Sequence, residues 1–165
     1  MRRRSHPLVF FILVFAAGRV PAAGQTQNAT LNASINGLAR LSVSSAAISF
    51  PDADPDTVPN IQATPGPILL TAKARTSPNG AVTLTVQASD HLRSGINTIP
   101  ASNITWVANG TGFSNGTLSA ATAQIVAAWT GPGVHTGTQT FFFKNLWSYA
   151  TGTYTLTMTY TLSAA

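Results

Sequence analysis

The chain contains no cysteine and no glutamate, and charged side chains make up only 8% of its 165 residues. Without cysteine there is no disulfide framework and no thiolate metal site, so burial alone has to hold a fold together. Without glutamate, acid–base chemistry falls to Asp52, Asp54, Asp56 and Asp90 and, beyond the first 24 residues, to His91 and His135. Scarce charge leaves Thr, Ser, Asn and Gly to keep the surface wet, a composition that is poor for helices. No apolar 3.6-residue period appears after residue 24. The longest apolar run, Leu8 to Ala17, is too short to span a bilayer comfortably.

That run lies behind Arg2, Arg3 and Arg4 and ahead of the small residues Ala22, Ala23 and Gly24, the layout of a secretory signal peptide cleaved before Gln25. The expected location is therefore secreted, periplasmic or cell-surface, with no integral membrane segment after processing. Cleavage removes Arg2, Arg3, Arg4 and Arg19. What remains is Arg40, Lys73, Arg75, Arg93 and Lys144 against the four aspartates, a near balance that gives no reason to expect a nucleic-acid partner. Residues 25–165 are enough for one domain with a real core.

The most informative stretch is Thr153 to Ser163. It alternates apolar and hydroxyl side chains, so Tyr154, Leu156, Met158, Tyr160 and Leu162 form one row on a half-buried strand, with threonines behind. Other segments alternate in the same way: 28–35 (Leu31, Ala33, Ile35 on one side), 38–43, the short 46–50, 68–74, 82–88, 103–108, 123–129 and 138–144. Ser77-Pro78-Asn79-Gly80 predicts a hairpin joining 68–74 to 82–88. Pro51 to Pro67, with five prolines, reads as a loop, and the glycine-rich 131–137 as a turn. The fold class predicted is all-β: an Ig-like antiparallel β-sandwich of about eight strands over residues 25–165, with 28–35 as first strand or donor strand.

Candidate chemistry is sparse. Asp90-His91 among many serines would allow a Ser-His-Asp site, but no Gly-x-Ser-x-Gly turn marks a nucleophile, and a polar loop explains the pair. Asp52, Asp54 and Asp56 could converge on calcium, but Pro55 stiffens the run and no bidentate acid closes it; a solvated turn is the competing reading. No catalytic, cofactor-binding or metal-ligating residue is assigned, and the chain is read as a non-enzyme without a cofactor. Trp106 and Trp129 are expected in the core, Trp129 in phase with Ile125, whereas Trp147 is the candidate for exposure and for stacking on a sugar ring. Sequons stand at Asn28, Asn32, Asn103, Asn109 and Asn115.

The leader, the alternating segment with Leu31, Ala33 and Ile35, the short strand ending Ile48-Ser49-Phe50 and the close from Gly152-Thr153-Tyr154 to Tyr160 together resemble the spore coat protein U family of pilins assembled by the archaic chaperone–usher route. That resemblance implies an incomplete Ig-like sandwich whose groove takes an N-terminal strand from the next subunit. Tyr160-Thr161-Leu162 also looks like the Trp-x-Leu close of WxL cell-wall-binding domains, with tyrosine for tryptophan. Two functions follow as expectations. One is a surface structural or adhesion subunit that self-associates through edge-strand pairing, or pairs with a surface-assembly partner. The other is a non-catalytic module for a polysaccharide or cell wall.

Overall fold

The alternating rows become strands wherever burying one face repays ordering the backbone. The computed structural model describes residues 29–165; the predicted leader, 1–24, lies outside the described residues, as does Asn28. The chain divides into two units, the first ending at Ala33 and the second running Ser34–Ala165. Residues 29–33 of the first carry no strand and are exposed.

The second unit is an antiparallel β-sandwich. Its strands are β1 Leu38–Val43, β2 Asn60–Gln62, β3 Ile68–Arg75, β4 Ala81–Ala88, β5 Leu92–Ser94, β6 Asn97–Ile99, β7 Ile104–Asn109, β8 Gly116–Thr117, β9 Gln124–Thr130, β10 Gly133–Lys144 and β11 Met158–Ala164. One sheet has the order β1-β3-β10-β7-β8, with β2 on the far half of β10; the other is β11-β4-β9; β5 and β6 form a small hairpin. The facing rows meet in a dry core: Ile68, Leu70 and Ala72 from β3, Val82, Leu84 and Val86 from β4, Trp106 from β7, Val126 and Ala127 from β9 and Phe141 from β10 are all buried. Hydroxyls cover the outside, as where Thr85 stands opposite Thr161 and Thr83 opposite Ser163.

Several expectations change. Residues 28–35 are not the first strand of the sheet; the described residues among them carry none, and the first strand is β1. The stretch 46–50 keeps only a single bridge, Ser49 to Thr64, because Pro51 ends the extended run. The predicted hairpin at Ser77–Gly80 is an arch. β3 pairs with β1 and β10, β4 with β11 and β9, so the turn carries the chain from one sheet to the other. Both strands bear fully apolar rows, and these bury each other by facing across the core rather than by lying side by side.

The glycine-rich 131–137 is also strand from Gly133 on. Gly131, at a φ of 83°, makes the turn, whereas Gly137 is needed because the Phe113 ring packs on it: a Cβ there would lie 2.5 Å from the ring. Finally, a bulge opposite Leu84 and Thr85 breaks the phase of β9. Val126 and Ala127 both turn inward, so Ile125 is exposed while Trp129 is half-buried.

Candidate functional site

The two lateral sides of the sandwich differ. On the β8/β9 side the sheets are joined by backbone: Ser114 N–H donates to Val126 O at 2.9 Å and Ala128 N–H to Gly112 O at 3.2 Å. On the other side, β1 ends the first sheet and β11 the second, and among the described residues no backbone hydrogen bond joins them. Their inward rows reflect this. Leu41 and Val43 of β1, and Met158, Tyr160 and Leu162 of β11, are only half-buried, while their cross-strand partners Ala72, Leu70, Ala88, Val86 and Leu84 are buried. Tyr154 and Leu156, just ahead of β11, continue the half-buried row. The result is an apolar seam between two edges that each still offer unpaired strand N–H and C=O groups. At one end it widens into a cavity of about 560 Å³ lined by Ile35, Leu38, Ala39, Arg75 and Ala164.

One polar contact lies in this region. Tyr160 donates its hydroxyl proton to Gln139 Oε1 at 2.5 Å; Gln139, on β10, is fully buried and its Nε2 has no partner among the described residues. Burial pushes the Tyr160 phenol well above the usual tyrosine range. No sequence signal marked Gln139. It occupies an inward position of a strand whose neighbours at that parity, Gly137 and Phe141, are apolar, and only the position of Tyr160 opposite explains it.

The other candidates do not assemble into chemistry. The Asp90 carboxylate makes no hydrogen bond to the His91 ring among the described residues: it takes the Arg93 Nε–H at 2.6 Å and the His91 backbone N–H at 2.7 Å, and these hydrogen bonds hold it below the usual range. His91 Nδ1 accepts from the Ala101 N–H at 3.2 Å, and among the described residues no carboxylate is hydrogen-bonded to the ring to orient it as a base. A shallow 390 Å³ cavity beside it is lined by Ser102, Ser119 and Gln124 among others. Among the described residues no three His, Asp or Glu side chains are grouped to hold a metal ion, so Asp52, Asp54 and Asp56 do not converge. Asp54 Oδ1 caps the Asp56 N–H at 2.9 Å, and Asp56 Oδ1 accepts from the Trp147 indole N–H at 2.9 Å.

Trp147 is 68% exposed, as expected, and this hydrogen bond fixes its ring. Trp129 stacks on His135 with centroids 4.2 Å apart. No described helix is long and apolar enough to cross a membrane. No family model matches the chain, and no curated protein matches it.

Proposed function

We propose that this protein is a secreted or cell-surface structural subunit, pilin-like in logic, that assembles by lending a strand to the open side of another copy. The observation that carries the reading is the contrast between the two sides of the sandwich, one joined by backbone and one bounded by the half-buried rows of β1 and β11. A strand added along either edge would satisfy that edge's free backbone groups and cover its half-buried row. The chain carries a candidate for it. Residues 28–35 alternate, Leu31 is 95% and Ile35 74% exposed, and no strand pairing uses the described residues among them. Single exposed apolar residues are ordinary, but an alternating set on an unpaired segment fits a strand that is completed elsewhere. The layout shared with the spore coat protein U pilins points the same way, although the chain lacks cysteine and has Pro51 after Phe50.

Leu31→Asp tests this reading, because a carboxylate in the inward row would have to be buried without a partner. Polymers seen for the parent by sedimentation velocity should be lost, while circular dichroism of the sandwich stays that of the parent. A mutant as assembled as the parent, or a parent that is monomeric at every concentration, removes the reading. The alternative, a polysaccharide- or wall-binding module, rests on the fixed, exposed Trp147; it expects quenching of tryptophan fluorescence by a soluble glycan with no change in molecular size.

A further inference from the structure

The charges of the sandwich are sorted along its long strand. Asp52, Asp54 and Asp56 lie on the loop ahead of β2, which is tied to the far end of β10. The Asn145 N–H donates to Pro59 O at 2.9 Å, and its Nδ2 donates to Ala53 O at 2.9 Å and Val58 O at 3.2 Å. The Asp56–Trp147 hydrogen bond completes the patch, an exposed indole with the exposed Val58 and Leu146 nearby and an acidic rim. Of the described cations, Lys144 on β10 pairs with Asn60 next to this loop, and Arg93 of β5 is bonded to Asp90, so the three loop carboxylates remain in excess.

The opposite end is basic. On the outer face Arg40 stands directly across from Lys73, Leu38 from Arg75, and Lys73 from Val134 on its other side. All five are exposed. Like charges opposite each other on a sheet are unfavourable, and among the described residues none of these cations has an ion-pair partner. Among the described residues the one ion pair, Arg93 with Asp90, ties β5 to the turn just before it.

From Val134 to Lys144 the strand covers roughly 30 Å at its usual rise. That is several times the screening length of about 8 Å in physiological salt, so the two patches do not neutralise each other within one molecule. A two-fold contact centred on either patch would set like against like, and an antiparallel pair that matched both patches would close on itself and leave none free for growth. Head-to-tail contact sets the acidic, indole-centred patch of one copy on the basic patch of the next, where Trp147 can also meet an arginine or lysine face-on.

We propose that the Asp52/Asp54/Asp56–Trp147 end of one copy docks on the Arg40/Lys73/Arg75 face of the next, and that this contact sets the polarity and speed of assembly. The proposal rests on the reading of the chain as a self-assembling subunit. Strand pairing supplies the durable bond; complementary charge steers the encounter.

The test is the initial assembly rate of the purified chain by light scattering, from about 20 mM to about 500 mM NaCl. Steering predicts a fall of about tenfold or more across that range. At low salt Lys73→Glu with Arg75→Glu should lower the rate similarly. So should Asp52→Lys with Asp54→Asn, a pair that keeps an Oδ1 acceptor for the Asp56 N–H and so leaves the Asp56–Trp147 hydrogen bond in place. The chain carrying all four changes should recover most of the parent rate. Trp147→Ala, with every charge kept, should slow assembly at all salt concentrations. Rates indifferent to salt and to both reversals overturn the docking contact; if Leu31→Asp still abolishes polymers there, strand donation survives alone. Conversely, charge-dependent association that Leu31→Asp leaves intact supports the docking contact and removes strand donation. Failure of the four-change chain to recover, a chain monomeric at low salt, or Trp147 fluorescence that responds to a soluble neutral glucan but not to self-association, each overturns the proposal.

Discussion

Trp106→Ala is expected to cost about 3–5 kcal/mol of unfolding free energy, the range for removing a large aromatic side chain from a core. Trp106 is 1% exposed and sits where β7 faces the second sheet. Its indole N–H donates to Ser114 O at 2.8 Å, and its ring is tilted at 53° to Phe141 with centroids 6.1 Å apart. The truncation therefore opens a cavity and leaves a carbonyl short of a partner on the loop that joins the two sheets. Gly116, paired opposite on β8, explains how the ring fits: a Cβ there would lie 2.3 Å from the indole. Gly116→Ala is thus expected to cost about 1–3 kcal/mol through overpacking, with no cavity at all. A domain of this size is stable by about 5–15 kcal/mol, and no disulfide is present to limit the loss, so Trp106→Ala brings the protein close to unfolding. Urea denaturation of the three proteins checks it. A loss below about 1 kcal/mol for Trp106→Ala would show that the ring is not the core anchor described.

Faces were legible in the sequence, and partners were not. Strict alternation identified which side chains of 82–88 and 153–163 point inward, and every predicted inward residue of β11 is more buried than its neighbours. Alternation carries no information about which strand lies alongside, so the β3–β4 arch looked like a hairpin. The β5–β6 hairpin was missed because three-residue strands offer one inward residue each, Leu92 and Ile99, too few for a period. Gly137 made the start of β10 look like a turn, when what it records is a close approach by Phe113. The open side was the least legible feature of all. It depends on which two strands end their sheets, and only assembly of the whole topology decides that.

The charge polarity was hidden for a related reason. Asp52, Asp54 and Asp56 are adjacent in sequence and could be seen as a cluster, but Arg40, Lys73 and Arg75 meet only through the pairing of β1 with β3. A near-zero net charge beyond residue 24 thus concealed two patches of opposite sign.

Tyr160 is expected to couple the half-buried edge strand to the buried amide beneath it, and three substitutions separate its contributions. Tyr160→Phe keeps the ring but leaves Gln139 Oε1 without its donor, in a side chain whose Nε2 already has no partner; the expected cost is about 1–3 kcal/mol. Tyr160→Ala also empties the ring's site and should cost about 3–5 kcal/mol, with half-burial placing it toward the lower end. Thr159→Ala, on the exposed outer row, should stay within about 0.5 kcal/mol. Combining Tyr160→Phe with Gln139→Leu removes both ends of the hydrogen bond, and the pair should be less destabilising than the sum of the single changes, because no buried amide is left unpaired. Alkaline pH gives an independent readout. The folded protein holds the Tyr160 proton more tightly than the unfolded chain does, so the stability linked to it is complete below the unfolded value near 10. Above that pH the unfolded chain ionises first, and stability falls as the pH rises toward the folded value. Tyr160→Phe should flatten that decline; a smaller slope remains from Tyr149, which burial shifts in the same direction. An additive double substitution, together with an unchanged alkaline slope, would show that the hydroxyl and the amide do not act as a pair.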